Sequence, residues 1–176
     1  QILERAQRYL APRGSAPIRS NSLDGITIGN IFNEPSTRTR SSFELAGMRL
    51  GAEVLNLEIQ LSSRAKGETV LDTLHTLESM AVDVFVIRDA EPGITQFVAE
   101  HVYDHVSVLC AGEAHTSHPT QGLLDALTVM RYKGGFRDLT VAVVGDVKHA
   151  RVARSAHQVF TALGVGELRI VAPDAL

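Results

Sequence analysis

The segment Glu34-Pro35-Ser36-Thr37-Arg38-Thr39-Arg40 decides the fold because it joins a predicted strand directly to a predicted helix. The largely apolar run before it, residues 26–32, is typical of a strand buried within a sheet. The run after it places small or apolar side chains at helical spacing, at Phe43, Ala46, Gly47 and Leu50. The sequence therefore predicts that a buried strand passes into a helix near Ser36.

Three hydroxyl groups and two guanidinium groups lie at this junction, in or next to the first turn of the predicted helix. The first turn of a helix has N–H groups without intrahelical partners and carries a partial positive charge. With hydroxyl donors and the forked guanidinium of Arg38, such a turn suits a phosphate-like dianion. The alternative is an ordinary N-terminal capping box with two solvated arginines, but so many donors after a buried strand favour the anion site.

Strands and helices alternate along the rest of the chain. Strands are predicted at 26–32, 52–57, 82–87, 106–110, 139–144 and 168–172, and helices at 1–11, 37–50, 68–80, 94–101, 119–132 and 151–163. This alternation predicts an α/β fold, a parallel sheet flanked by helices. Lys133-Gly134-Gly135 ends a helix, which predicts two domains, residues 1–134 and 135–176.

Polar residues follow the predicted strands repeatedly. Residues 34–40, which we call the anion segment, follow the first strand. Ser62 and Lys66 lie in the polar loop after the second strand, and Arg88 ends the third. His118 and Gln121 follow the fourth. Because ligands of parallel sheets bind beyond the carboxyl ends of the strands, these four turns are predicted to converge on one crevice.

Composition excludes several classes of function. The chain has 176 residues and a net charge of −3, which gives no global affinity for nucleic acid or membranes. No apolar run approaches the ~20 residues of a membrane span, and no signal peptide is visible. The single cysteine, Cys110, cannot form an intrachain disulfide, is interpreted as a small core residue, and favours a reducing, cytoplasmic location.

Metal and nucleotide sites are not predicted. The segment 145–155 follows a strand as a dinucleotide-binding turn would, but it lacks the glycines of G-x-G-x-x-G. The pairs His101 and His105, and His115 and His118, have spacings that suit a metal on a helix. Neither pair has a convincing third ligand, so both are interpreted as surface histidines.

Two segments resemble the signatures of a known family. Residues 32–44 resemble the carbamoyl-phosphate signature of the transcarbamoylases, the family of the aspartate and ornithine carbamoyltransferases. His118-Pro119-Thr120-Gln121 resembles the second signature of that family. The resemblance extends along nearly the whole chain. It implies the transcarbamoylase fold, with a complete carbamoyl-phosphate domain and only the beginning of a second, Rossmann-like domain that binds the amino acid.

The resemblance implies transfer of the carbamoyl group from carbamoyl phosphate to the amine of L-aspartate. The products are N-carbamoyl-L-aspartate and phosphate, the step belongs to pyrimidine biosynthesis, and neither a metal nor an organic cofactor is needed. Thr120 and Lys66-Gly67-Glu68-Thr69 favour aspartate. The alternatives are an ornithine or related transcarbamoylase, or a non-catalytic fragment that binds anions or oligomerises.

The resemblance also implies roles for individual residues. Thr39, Arg88 and His118 polarise the carbonyl oxygen and stabilise the oxyanion. Gln121 orients the carbamoyl NH2 group. The phosphate is bound by the helix terminus and by Ser36, Thr37, Arg38 and Thr39, which also support its departure.

Further implied roles concern the second substrate and the assembly. Arg151 binds the α-carboxylate of aspartate, and Glu34 bridges the two domains on closure, with Arg151 as a candidate partner. Ser62 and Lys66 serve the site of a neighbouring subunit in a homotrimer. Some relatives also have regulatory or dihydroorotase-type partner chains, so a partner of that kind stays open.

The chain departs from the usual family pattern at several positions without losing a named ligand. Asn33 stands where an aromatic residue is common, and Asp89 stands where histidine is frequent. Residues 110–114, Cys-Ala-Gly-Glu-Ala, replace the commoner Asn-Ala-Gly-Asp-Gly. These differences concern the tuning of the site, since the carboxylate of Asp89 could lower its positive potential.

Overall fold

A computed structural model describes residues 1–57 and 70–173 of the chain. The elements, in chain order, are α1 (Ile2–Gln7), β1 (Thr27–Phe32), α2 (Thr37–Arg49), β2 (Glu53–Leu57), α3 (Val70–Ser79), β3 (Val84–Asp89), α4 (Ile94–His101), β4 (Ser107–Glu113), α5 (Pro119–Lys133), β5 (Thr140–Val144), α6 (Arg151–Ala162) and β6 (Glu167–Val171). The chain divides into two compact units, Ala11–Ala111 and Gln1–Leu10 with Gly112–Leu176. We call them the four-stranded unit and the two-stranded unit after their sheets.

The four-stranded unit is built on a parallel sheet. Its strand order is β2-β1-β3-β4, and β1 lies parallel to both β2 and β3. The register places Phe32, at the end of β1, beside Arg88 of β3. Because both strands are buried almost throughout, their nearly continuous apolar sequences are explained by burial on two faces.

Helices cover both faces of this sheet. Ile31 and Phe85 pack with Leu74 of α3 and Val98 of α4 in one apolar cluster. The alternate strand residues enter a second cluster that includes Phe43 of α2; they are Ile28, Phe32 and Val86. Since neighbouring residues of a strand point to opposite faces, the two clusters are the cores on the two sides of the sheet.

Gly47 fixes how closely α2 approaches the sheet. A Cβ atom at this position would lie 2.8 Å from Cγ2 of Val54 and 3.0 Å from Cδ1 of Ile28. Such distances are well below van der Waals contact, so only glycine lets the helix rest directly on β1 and β2. The same contact positions the N-terminus of α2, which carries the anion segment.

The two-stranded unit contains β5 and β6, which are parallel, and the helices α1, α5 and α6. Its core includes Leu3, Ala126, Phe136 and Phe160. Gly122 of α5 lies against α6, since a Cβ atom added there would be 2.8 Å from the carbonyl oxygen of Ser155. The two helices therefore pack almost backbone to backbone at this point.

The structure confirms the predicted α/β class, with parallel sheets flanked by helices. One predicted boundary is wrong: the strand predicted at 106–110 corresponds to β4, which continues to Glu113. Cys110-Ala111-Gly112-Glu113 has low strand propensity, but Ala111 is fully buried, and burial outweighs propensity here. The first helix is also shorter than predicted and ends at Gln7.

The structure does not test the predictions of the polar loop and of the domain boundaries. The polar loop that carries Ser62 and Lys66 lies outside the described residues. The predicted domains, 1–134 and 135–176, were defined by the ligand that each would bind. The two compact units are defined by packing instead, and they place α5 and α6 in the same unit. Within residues 1–57 and 70–173, no helix has the length and apolar character needed to cross a bilayer.

Candidate active site

The anion segment occupies the N-terminus of α2, as predicted. Ser36 is the N-cap residue and has an extended backbone, with φ −159° and ψ 90°, before the helix begins at Thr37. Its carbonyl oxygen accepts a hydrogen bond from the N–H of Arg40 at 3.1 Å, whereas its side chain makes no capping hydrogen bond. The capping-box alternative is therefore wrong for Ser36.

Several donors of this segment are not used by the rest of the described chain. The side chains of Ser36, Thr37, Arg38 and Thr39 make no hydrogen bond or ion pair with any residue in 1–57 or 70–173. Thr37 and Arg38 are exposed, and the first turn contains no acidic residue. Hydroxyls, a guanidinium and unsatisfied backbone N–H groups thus lie together where a dianion would be stabilised.

Arg88 is a buried cation at the carboxyl end of β3, with 7% of its surface exposed. Its Nη2 donates to Oε1 of Glu34 at 2.8 Å, and its Nη1 donates to the carbonyl oxygen of Ala111 at 3.2 Å. Its Nε is also buried but has no hydrogen-bond partner among the described residues. A buried charge requires a counter-charge, which Glu34 supplies, so an anionic ligand that reaches Arg88 has to compete with Glu34.

The two residues that flank this ion pair also contact each other. Nδ2 of Asn33 donates to Oδ2 of Asp89 at 2.6 Å, and the N–H of Asn33 donates to the carbonyl oxygen of Arg88 at 2.9 Å. The other carboxylate oxygen of Asp89 accepts from the N–H of Glu91 at 2.8 Å. Sequence reasoning noted both Asn33 and Asp89 but not their contact, which depends on the register between β1 and β3.

His118 lies in the two-stranded unit, directly before α5, and Pro119 is the first residue of that helix. The backbone N–H of His118 donates to Oγ of Ser155 at 2.8 Å, and both residues are buried. Sequence reasoning did not identify Ser155 as part of the site. The available signal was a small hydroxyl residue on the apolar side of α6, close to the helix start.

Gln121 lies one turn after His118, and its backbone N–H donates to the carbonyl oxygen of His118 at 3.0 Å. Its side-chain Nε2 donates to Oδ1 of Asp125 at 2.9 Å. Because a carboxylate only accepts hydrogen bonds, this contact fixes the amide orientation and leaves Oε1 to accept. Its side chain therefore bonds forward along α5, to Asp125, and not back to the first turn of the helix.

Arg151 is the first residue of α6, as predicted. Its Nη1 donates to the carbonyl oxygen of Ala114 at 2.9 Å, and Ala114 has a positive φ of 40°. Nearby along the chain, the N–H of His149 donates to the carboxylate of Asp146, which lowers the pKa of Asp146. The predicted contact between Arg151 and Glu34 stays a prediction.

The remaining predictions concern Ser62, Lys66 and the histidine pairs. Ser62 and Lys66 belong to the residues that are not described. Among the described residues, no group of three or more His, Cys, Asp or Glu side chains could hold a metal ion. His101 instead contacts the carbonyl oxygen of Phe97 through Nδ1 at 2.7 Å.

Comparisons with known proteins identify the family of this chain. Residues 1–131 match the family model described as aspartate/ornithine carbamoyltransferase, carbamoyl-P binding domain. Aspartate transcarbamoylase from Trypanosoma cruzi, in complex with N-(phosphonacetyl)-L-aspartic acid, superposes with a TM-score of 0.84 and 35% identity, over 99% of this chain and 55% of that one.

Two further solved structures show the range of the similarity. The catalytic subunit of M. jannaschii aspartate transcarbamoylase has a TM-score of 0.80 and 34% identity, over 99% of this chain and 54% of that one. Ornithine carbamoyltransferase from Pyrococcus furiosus has a TM-score of 0.78 and 34% identity, over 89% of this chain and 48% of that one. The chain thus spans about half the length of these relatives.

Proposed function

Since the chain belongs to the aspartate/ornithine carbamoyltransferase family, we propose that it binds carbamoyl phosphate and that the intact enzyme transfers the carbamoyl group to L-aspartate. The products are N-carbamoyl-L-aspartate and phosphate, as in pyrimidine biosynthesis. The observation that carries this proposal is the set of unengaged donors at the N-terminus of α2, within the part of the chain that matches the carbamoyl-phosphate domain.

The phosphate group binds at the start of α2. The hydroxyls of Ser36 and Thr37 and the guanidinium of Arg38 donate to its oxygens, together with the N–H groups of the first turn, that of Thr39 included. The same contacts strengthen as the bridging oxygen gains negative charge, so they also stabilise the leaving phosphate.

The reaction is an acyl transfer at the carbamoyl carbon. The amine nitrogen of aspartate attacks this carbon and the C–N bond forms; the bond between this carbon and the oxygen that bridges it to phosphorus then breaks. Phosphate leaves with that bonding electron pair and takes the proton that the amine loses. Thr39, Arg88 and His118 donate to the carbonyl oxygen, where negative charge develops during the attack.

Gln121 orients the carbamoyl group. Its Oε1 is the amide atom left to accept once Nε2 has bonded to Asp125, and the carbamoyl NH2 is a suitable donor. Such a contact fixes the plane of the carbamoyl group and hence the direction of attack. Ser155 supports the same region by holding the backbone of His118.

Aspartate is the proposed second substrate, and ornithine is the rival. Arg151, at the start of α6, binds the α-carboxylate, which both amino acids share. The T. cruzi and M. jannaschii relatives are aspartate enzymes, but an ornithine enzyme from P. furiosus matches at 34% identity. Thr120 and the segment 66–69 tip the proposal toward aspartate.

The assembly is proposed to be a cytoplasmic homotrimer with shared active sites. Ser62 and Lys66, in the polar loop that the sequence predicts, would reach the site of a neighbouring subunit. A regulatory or dihydroorotase-type partner chain remains an open alternative. The chain of 176 residues alone is proposed to bind carbamoyl phosphate weakly and to turn over little aspartate, because it spans about half of its relatives.

Calorimetry with carbamoyl phosphate tests the anion site through Arg38→Ala. We expect this change to weaken binding by about tenfold or more, because a charge-assisted contact to the phosphate is lost. Arg13→Ala, at an exposed arginine outside the motif, is the matched control and should bind like the unmodified chain. Equal heats for the Arg38→Ala variant and the unmodified chain would contradict the proposed site.

Substrate choice requires the intact enzyme. A carbamoylation assay with aspartate and ornithine side by side should give product with aspartate. Product with ornithine alone would contradict the proposal and identify an ornithine carbamoyltransferase. Product with neither amino acid would favour the non-catalytic alternative.

A further inference from the structure

Asp125 is a carboxylate on α5, one helical turn after Gln121. Nε2 of Gln121 donates to its Oδ1 at 2.9 Å, and both residues are half-buried. Within residues 1–57 and 70–173, this is the only hydrogen bond that either side chain makes. Sequence reasoning placed Gln121 in the site but missed Asp125, which is four residues later and so lies on the same side of the helix.

The backbone that carries this pair is held in place by the packing of α5. Gly122 follows Gln121 and lies against α6, where a Cβ atom would be 2.8 Å from the carbonyl oxygen of Ser155. Ala126 follows Asp125 and is fully buried in the core of the two-stranded unit. Because both neighbours are packed closely, α5 cannot rotate about its axis, and the direction in which Gln121 projects is fixed.

The two ends of a glutamine amide have opposite hydrogen-bonding properties. Oε1 accepts and Nε2 donates, and rotation of the terminal amide by about 180° exchanges their positions. A carboxylate only accepts, so Asp125 stabilises the orientation with Nε2 toward itself and leaves Oε1 of Gln121 for another donor. A partner that only donates would stabilise the reverse orientation.

We propose that Asp125 is a positioning residue that selects carbamoyl phosphate over other acyl phosphates. It keeps Oε1 of Gln121 available to accept from the carbamoyl NH2, a group that acetyl phosphate lacks. An acetyl group presents a methyl group there, so Oε1 would lose contact with water without gaining a donor. This inference rests on the proposed function, because it takes Gln121 to be a ligand of the carbamoyl group.

Calorimetry with carbamoyl phosphate and acetyl phosphate tests this selection through the ratio of the two affinities. We expect the unmodified chain to prefer carbamoyl phosphate by about tenfold, which corresponds to one hydrogen bond. Asp125→Lys should abolish the preference, because an ammonium only donates and turns Nε2 of Gln121 toward the ligand. The two ligands carry the same phosphate group, so the added charge affects both alike and cancels in the ratio.

Two further substitutions at the same position complete the series. Asp125→Glu keeps an acceptor that cannot donate and should retain the preference. Asp125→Asn can accept or donate and should give a ratio between those of Asp125→Glu and Asp125→Lys. Binding of inorganic phosphate, which has no carbamoyl group, should stay within about twofold in Asp125→Glu and Asp125→Asn and shows that these variants are folded. An unchanged ratio in Asp125→Lys, or no preference in the unmodified chain, would overturn the proposal.

The chain offers a matched control on another helix. Nε2 of Gln96 donates to Oε1 of Glu100 at 2.8 Å, which is the same kind of pair at the same spacing on α4, but exposed. Glu100→Lys makes the same change of charge as Asp125→Lys and should leave the ratio of affinities unchanged. A loss of preference in Glu100→Lys would mean that charge, not the orientation of Gln121, is responsible.

A double-mutant cycle separates this inference from the proposed function. Gln121→Ala should remove the preference for carbamoyl phosphate, and adding Asp125→Lys to it should change the ratio no further. If the unmodified chain binds neither carbamoyl phosphate nor inorganic phosphate, the proposed function fails and this inference falls with it. If Gln121→Ala removes the preference but Asp125→Lys keeps it, the proposed function stands and this inference alone fails.

Discussion

At the scale of single residues, Ala114 shows how the loop before α5 stores strain. Its φ of 40° lies in the left-handed region, where a Cβ atom is unfavourable. The usual family pattern has glycine at this point, and the structure explains why. Its carbonyl oxygen accepts from Arg151, so the strained residue also holds a side chain that is proposed to bind substrate.

Replacing this residue should relieve the strain. We expect Ala114→Gly to raise the free energy of unfolding by about 1 kcal/mol, since the relief exceeds the added entropy of the unfolded chain. Urea denaturation measures the change. Ala46→Gly, at an exposed position inside α2, is the opposite control and should lower stability by about 1 kcal/mol. A loss of stability in Ala114→Gly would mean that the methyl group contributes packing that outweighs the strain.

Individual site residues were predictable from the sequence to different degrees. Ser36, Thr37, Arg38 and Thr39 could be placed at a helix N-terminus because the apolar pattern changes period there. The pairing of Arg88 with Glu34, and of Asn33 with Asp89, could not be predicted, because both depend on the register of strands far apart in sequence. Ser155 was missed for the same reason, since it meets His118 only through helix packing.

At the scale of elements, the close contact of α5 with α6 depends on one glycine. A Cβ atom at Gly122 would lie 2.8 Å from the carbonyl oxygen of Ser155, which is backbone and cannot turn away. The helices would have to separate, and the bond between His118 and Ser155 lies beside this contact. The packing of these helices therefore influences both stability and the proposed carbamoyl site.

We expect Gly122→Ala to lower the free energy of unfolding by about 1 to 3 kcal/mol, because an overpacked contact outweighs the gain in helix propensity. Urea denaturation gives the value. Gly135→Ala is the matched control, since a Cβ atom there would meet nothing within 4 Å, and its stability should be nearly unchanged. Equal effects of the two substitutions would argue against close packing at Gly122.

The elements themselves were largely predictable, because β1 and β3 are almost continuously apolar and most helices have clear apolar faces. The exceptions were the first helix, which ends at Gln7, and the end of β4, whose small residues resemble a loop but are partly buried in the sheet. Local pattern carries no information on such burial, which is decided by the neighbouring strand and by the helices above it.

At the scale of the whole molecule, the proposed substrate ligands are divided between the two compact units. The proposed phosphate ligands belong to the four-stranded unit, and His118, Gln121 and Arg151 belong to the two-stranded unit. Local sequence pattern predicted the helix starts that carry them, but the assignment of all of them to one reaction came from the resemblance.

The proposal of shared active sites in a trimer leads to a prediction for the intact enzyme. Lys66→Ala and Arg38→Ala subunits should each be inactive alone, because each lacks one residue of every proposed site. When they are mixed and allowed to exchange, some hybrid sites take both native residues and activity should return above the sum of the two. No recovery, in a mixture shown by mass spectrometry to contain hybrids, would place Lys66 in its own subunit's site.

The internal carboxylate of Glu34 has a consequence for the choice of anion. Because the Arg88 guanidinium is already neutralised at 2.8 Å, an incoming anion gains little from charge alone. A monovalent ion such as chloride cannot compensate for the lost ion pair, whereas a dianion that also meets the hydroxyls at the start of α2 can. In the proposed site, Glu34 is therefore expected to disfavour the simple salts that surround every protein.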